Sequence, residues 1–307
     1  MAVRLMAFNN RLFRTGLVGL LVCLTGLFSA LAGARSFDDI IDAGEITVAV
    51  YAGFPPYSYV NGEHQPEGID VGVARFLAEG LGVRLRLHWV TPDESVEDDM
   101  RNHLWKGMNL TSEDGKRVKA DVMLRIPYDR EYSQLRDDVG LLVHERVHMF
   151  APYQVERWQI AYNPAKLEAV PTMAVFQYHP IGVEVDTVPQ FYLTTAFAGR
   201  MRANTHSFHA MTEAFDAMLS GEVDAVMGMR SQVQWLNANG NGKSELAENG
   251  FPMLGKQQWD IGMAVQGDYR QLAYALEDAL IEKMQNGELQ KLIESYGVVY
   301  QVPGVYQ

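Results

Sequence analysis

ITVAVYAGFPPYSYVNGEHQPEGIDVGVARFLAEGLGVRLRLHWV, residues 46–90, changes its hydrophobic period twice. ITVAV (46–50) is a short β-branched, apolar run, the pattern of a buried strand. A loop rich in glycine, proline and aromatic residues, GFPPYSYVNGEHQPEG, interrupts it. Ile69, Val73, Phe76 and Leu77 then fall on one helical face, and Gly80 and Gly82 close that helix. VRLRLHWV (83–90) alternates Val83, Leu85, Leu87 and Trp89 with Arg84, Arg86 and His88, as a half-buried strand does. Strands alternating with helices predict an α/β layer architecture around a mainly parallel sheet.

Downstream, 91–119 is polar and holds the helix-like SVEDDMRNHLWKGM, and DVMLRI (121–126) reads as a strand ending at Pro127. A second α/β set begins near residue 155 with WQIAY, then IGVEV (181–185), with Asp186-Thr187 as an N-cap and Pro189 in the first helical turn. Ser207 is expected to open a helix carrying Met211, Phe215, Met218 and Leu219 on one face, closed by Gly221. DAVMGM (224–229) and WDIGMAV (259–265) follow as strands. Leu272, Leu276, Leu280 and Met284 mark a C-terminal helix, broken at Gly287 before ELQKLIESYG.

Upstream, Arg4, Arg11 and Arg14 precede an apolar run from Gly16 to Ala32 and the small residues Ala32-Gly33-Ala34. A positive n-region, an apolar h-region and an A-x-A site describe a secretory signal peptide over 1–34, preferred to an uncleaved anchor. Cys23, the one cysteine, lies inside that run, so a chain starting at Arg35 has no disulfide, thiolate nucleophile or thiolate-held metal. Of 307 residues 48% are hydrophobic and 21% charged, with a net charge of −12. That composition argues for a globular protein and against a nucleic-acid binder. Export and an acidic body point to a periplasm.

Six segments in order resemble the extracellular solute-binding proteins, family 3, of amino-acid-type ABC importers. AGFPPYSY is similar to that family's proline–proline–aromatic ligand loop, and EGIDVGVARFLAEGLG to the helix that follows it. MFAPY (149–153) resembles the first inter-lobe crossing, and IGVEVDT the strand leading to a helix start. LSGEVDAVMGM and NGELQKLIESYG resemble two further family segments. The resemblance implies a type II periplasmic-binding-protein clamshell. Lobe 1 would be built from 35–152 and 256–307, and lobe 2 from 153–255. A ligand would sit between them, with closure on binding. It also implies a monomer without cofactor that hands a small molecule to the membrane permease of an ABC importer.

The resemblance places Phe54 and Tyr57 in the ligand loop, where an aromatic ring stacks on the ligand, and gives Asp70 a tethering part. Thr187 stands at a helix N-terminus, which attracts carboxylates, although Asp186 beside it is itself an anion. The family's carboxylate-holding arginine has its nearest counterpart in Arg130, with Arg125 and Arg146 as competitors. Met229 stands where family members that bind α-amino acids carry an acid for the α-ammonium. A thioether cannot neutralise that charge, so an ordinary α-amino acid is not the expected ligand. Arg230, next along what reads as a strand, is expected to face away. His144, Glu145 and His148 share the spacing of a zinc-protease helix, but GLLVHERVHMFAPY reads as a strand and no metal is expected.

The reading is a periplasmic solute-binding protein for a small polar molecule. Two alternatives remain at this point. One is an MxaJ-like accessory protein of a periplasmic quinoprotein alcohol dehydrogenase. The other is a dehydratase-like enzyme on the same fold, which needs a cleft carboxylate such as Glu184 or Asp186 with a perturbed pKa.

Overall fold

A computed structural model describes residues 35–108, 117–240, 242–248 and 250–307. The expected signal peptide lies outside the described residues. Among those described, no helix is long and apolar enough to cross a membrane.

The chain enters through α1 (Phe37–Ala43), opened by a Ser36–Asp39 capping box and closed by Gly44. β1 (Glu45–Tyr51) follows, then a two-strand hairpin, β2 (Tyr59–Val60) and β3 (Pro66–Glu67). α2 (Ile69–Gly80) and β4 (Arg84–Val90) complete the βαβ unit, with β4 parallel to β1. α3 (Val96–Met100) runs into one π-helical turn, Arg101–Trp105. β5 (Val122–Tyr128) lies parallel to β1 on its other side. It continues through Pro127, beyond the expected stop at 126, because Pro127 sits in the pairing with the returning strand. α4 (Arg130–Ser133) is a single turn.

β6 (Val147–Tyr162) is one 16-residue strand that joins the two halves of the sheet. The segment 143–146 is a turn, so only the second half of GLLVHERVHMFAPY is a strand, and there is no helix to bring His144 and His148 together. β7 (Ile181–Glu184), α5 (Val188–Gly199) and β8 (Thr205–Phe208) come next. Ser207 therefore lies in a strand and does not open a helix: β8 pairs in parallel with β7, and that ladder holds residues 205–208 extended. α6 (Met211–Ser220) starts after Ala210 and ends at Gly221 in the left-handed region.

β9 (Ala225–Met229) leads directly into α7 (Arg230–Asn239). β10 (Glu245–Ala247), β11 (Gln258–Gln266), α8 (Arg270–Gln285) and α9 (Glu288–Glu294) finish the chain. The strands form one sheet in the order β4-β1-β5-β11-β6-β9-β7-β8, with β10 on β6. Each end of the sheet is parallel, and the antiparallel pairs belong to β6 and β11, which run between the ends.

The core divides in the same way. Val48, Val50, Leu77, Val122 and Leu276 lie in one apolar cluster, while Ile160, Phe176, Ile181, Leu193 and Met227 lie in another. Between them the backbone crosses twice, through β6 and through the segment entering β11. The Trp158 indole donates to the Lys256 carbonyl at 3.0 Å and its ring meets Trp259 at 4.8 Å, which locks the two crossings side by side.

Candidate functional site

The loop after β1 and the end of β7, at Glu184, both lie at carboxyl ends of parallel strands, where an α/β sheet presents ligand contacts. Phe54 is fixed in its loop by backbone bonds to Ser58. Behind it, Gly68 takes φ +126°, and a Cβ there would stand 2.2 Å from the Tyr57 carbonyl oxygen. That close approach lets the Ile69 and Asp70 amides, at the start of α2, donate to the carbonyls of Pro56 and Tyr57. The helix start thus anchors the aromatic loop.

Arg125 projects from β5 with φ +63°, a left-handed conformation uncommon for a side chain of this size. Its guanidinium lies 4.0 Å from the ring centroids of both Phe54 and Tyr57. Such a sandwich between ring faces is attractive for a delocalised cation. Nη2 reaches the Met229 sulfur at 3.8 Å, and buried Nη1 has no hydrogen-bond partner among the described residues. Asp70 is fully buried, accepts from the Tyr153 hydroxyl at 2.7 Å and keeps one unpartnered oxygen. Burial pushes its carboxyl up to about 6, against the opposing pull of the Arg125 charge and the Tyr153 hydrogen bond.

Beside this stack is a network centred on Glu156 of β6, which is completely buried. It accepts from the Tyr57 hydroxyl at 2.9 Å, from its neighbour Arg157 N–H, and from the Ser231 hydroxyl and amide. The crossing strand, the aromatic loop and the first turn of α7 meet on that one carboxylate. Arg230 does not face away, because the strand ends at Met229 and Arg230 opens a helix. Its guanidinium is buried, donating to the Val155 carbonyl and to Gln301. Burial lowers its pKa while Glu156 opposes the shift.

A cavity of about 130 Å³ opens beside Phe54, lined also by Gly53, Pro55, Glu184, Met211, Thr212, Gln232 and Trp235. Glu184 is the ionisable side chain among the described lining residues. It accepts from the Met211 amide at 3.2 Å, at the start of α6, and burial raises its pKa.

Three comparisons bear on this arrangement. Residues 46–135 match the bacterial extracellular solute-binding proteins, family 3. The matched stretch carries Phe54, Tyr57, Asp70 and Arg125. The fold is the type II periplasmic-binding-protein fold. An ancestral cationic amino acid solute-binding protein superposes with TM-score 0.64 at 17% identity, covering 85% of this chain and 98% of that one. The amino acid ABC transporter substrate-binding protein of Streptococcus pneumoniae bound to L-arginine gives 0.58 at 20% identity, covering 85% and 97%. Cyclohexadienyl dehydratase of Pseudomonas aeruginosa is 31% identical over 120 residues, 38% of this chain and 43% of that protein. The match thus spans less than half of that curated relative.

Against the positions that the family resemblance suggested, Phe54, Tyr57, Asp70 and Met229 all meet around Arg125, one of the two competitors to Arg130. Phe54 alone of the five lines the cavity, and Tyr57 is wholly buried. The side chain of Arg130 lies outside the described residues. Arg146 is exposed in the turn before β6 and lines a different pocket, with Glu97 and Trp105. Thr187 is the N-cap residue of α5, but its hydroxyl donates back to the Glu184 carbonyl at 2.6 Å and makes no cap. Glu156, Ser231 and Trp235 were not anticipated. For Glu156 the signal was present, as a lone acid among the apolar residues of YQVERWQIAY.

Proposed function

We propose that the chain is a periplasmic solute-binding protein that captures a small polar molecule between two lobes, for delivery to an ABC-type permease. Lobe 1 is taken as 35–152 with 256–307, and lobe 2 as 153–255. The observation that carries the reading is the cavity between Phe54 of one half and Glu184, Thr212 and Gln232 of the other. A molecule there would be desolvated by both halves at once, which is what a clamshell gains from closing. Met229 is engaged by Arg125, and Glu184 is the ionisable group among the described cavity residues. The donor set therefore lacks the paired acid and base of an α-amino-acid clamp and suits a solute bearing an amine or hydroxyls.

A second reading rests on Glu184. Burial raises the pKa of its carboxyl, the direction that suits a group handing a proton to a departing hydroxyl, the step a dehydratase needs.

A thermal-shift screen of the chain from Arg35, against amines, polyols, organic acids, alcohols and a cyclohexadienyl acid, separates these readings. One chemical class is expected to raise the midpoint saturably, by mass action on the folded state, and Glu184→Gln and Phe54→Ala to abolish the shift. Consumption of the cyclohexadienyl acid, lost in Glu184→Gln, would replace transport by catalysis. Silence throughout would sink both and leave the accessory-protein reading. That reading finds support in the exposed apolar loop of Leu135, Val139, Leu141, Leu142 and Val143.

A further inference from the structure

Trp235 also lines a second, larger recess, of about 430 Å³. Its walls are Tyr59 and Glu67 of the β2–β3 hairpin, Trp235 and Asn239 of α7, and Tyr296 with Gly297 after α9. Three aromatic side chains thus surround one carboxylate. The rings of Tyr59 and Trp235 stand 6.1 Å apart and inclined at 48°, as two sides of a box rather than a stacked pair. Tyr296 is fixed by accepting the Gly68 amide at 3.0 Å. Gly297 allows the C-terminal segment to approach α7, since a Cβ there would stand 2.5 Å from the Ala238 methyl.

The carboxylate is held as firmly as the rings. Glu67 accepts from the Tyr59 hydroxyl at 2.9 Å through one oxygen and from the Asn61 amide at 2.8 Å through the other. One hydrogen bond on each oxygen holds the Glu67 carboxylate in place at the recess. No Lys or Arg is among the described lining residues, and Arg75 is turned onto the Pro66 carbonyl. A cation that presents methyl groups to ring faces matches the aromatic walls, the held carboxylate and the lack of a cationic residue among the described lining residues together. The volume is in the range that encloses a small organic molecule.

We propose that this recess is a second ligand site, separate from the cavity at Phe54 and Glu184, for a small methylated ammonium compound. Because Trp235 lines both spaces, filling the recess restrains a residue that also lines the cavity.

Titration calorimetry on the chain from Arg35 tests it, with choline as probe and 3,3-dimethylbutan-1-ol as its uncharged analogue. Choline is expected to bind saturably, the analogue not to bind, and Glu67→Gln to weaken choline about tenfold or more while melting like the parent. Should Glu67→Gln fail to fold, Tyr59→Leu in the surface hairpin gives the same comparison. Glu184→Gln is expected to leave choline binding unchanged, so loss of the cavity reading and loss of this one are told apart. Choline binding that disappears in Glu184→Gln and persists in Glu67→Gln would place the cation in the cavity and overturn the proposal. Equal binding of the alcohol, or no heat at millimolar choline, overturns it as well.

Discussion

At Asp70, burial and charge pull in opposite directions. The carboxyl is wholly enclosed and titrates near 6, whereas in the unfolded chain it would titrate near 4. Between those values the folded chain holds a proton that the unfolded chain has released. Stability from this group is therefore fully present below about pH 4 and lost as pH rises through 6. Asp70→Asn has no proton to hold. Urea unfolding of parent and variant at pH 4, 5, 6 and 7 should show the parent losing ground by on the order of 2–3 kcal/mol across the range. Parallel pH profiles would mean that the Arg125 charge cancels the burial effect. The tether expected of Asp70 takes another form here: its side chain accepts from Tyr153 of β6, and the loop is held by its backbone amide instead. The meeting of Arg125 with Phe54 and Tyr57 was not legible in the sequence, because it depends on a left-handed β5 backbone and on rings from a distant loop, neither of which spacing reveals.

The loop carrying Phe54 and Tyr57 keeps its shape because α2 begins against it. Gly68 makes that contact possible twice over, through φ +126° and through the missing Cβ. Gly68→Ala should lower unfolding stability by roughly 2 kcal/mol or more and weaken any cavity ligand, since the loop must lift off the helix start. Denaturant melts and a repeat of the ligand titration check both, and an alanine variant with unchanged stability would show the loop to be softer than its bonds imply. Elements of this kind were the most readable part of the sequence. β1 follows from a continuous apolar run, α2 from a period of 3.6 and β4 from a period of 2 inside one stretch, and α8 from leucines four apart. The failures lie where pairing overrides local pattern: Ser207 has the look of a helix opener, yet β7 recruits it into a strand. Arg230 looked like the next residue of a strand, but β9 ends at Met229 and the side chain turns into the buried network.

Across the whole molecule, the two halves are joined by the paired crossings and by what converges on Glu156. If the clamshell reading holds, the crossings persist in any open form, while the Tyr57 and Ser231 bonds to Glu156 help select the closed one. Tyr57→Phe keeps the ring that stacks on Arg125 and removes only the hydroxyl. A hydrogen bond to a buried carboxylate contributes about 1.5–3 kcal/mol, so its loss should shift the closed-to-open ratio by roughly tenfold or more toward open. Small-angle scattering of the ligand-free variant is then expected to give a larger radius of gyration than the parent, and saturating ligand to restore the parent's value. Affinity should fall by the same factor as the closed population, because a ligand that needs the closed form binds in proportion to it. An unchanged radius with weaker binding would place the effect of Tyr57 within the site itself. An unchanged radius with unchanged binding would mean that Ser231 and the crossings hold the halves together without it.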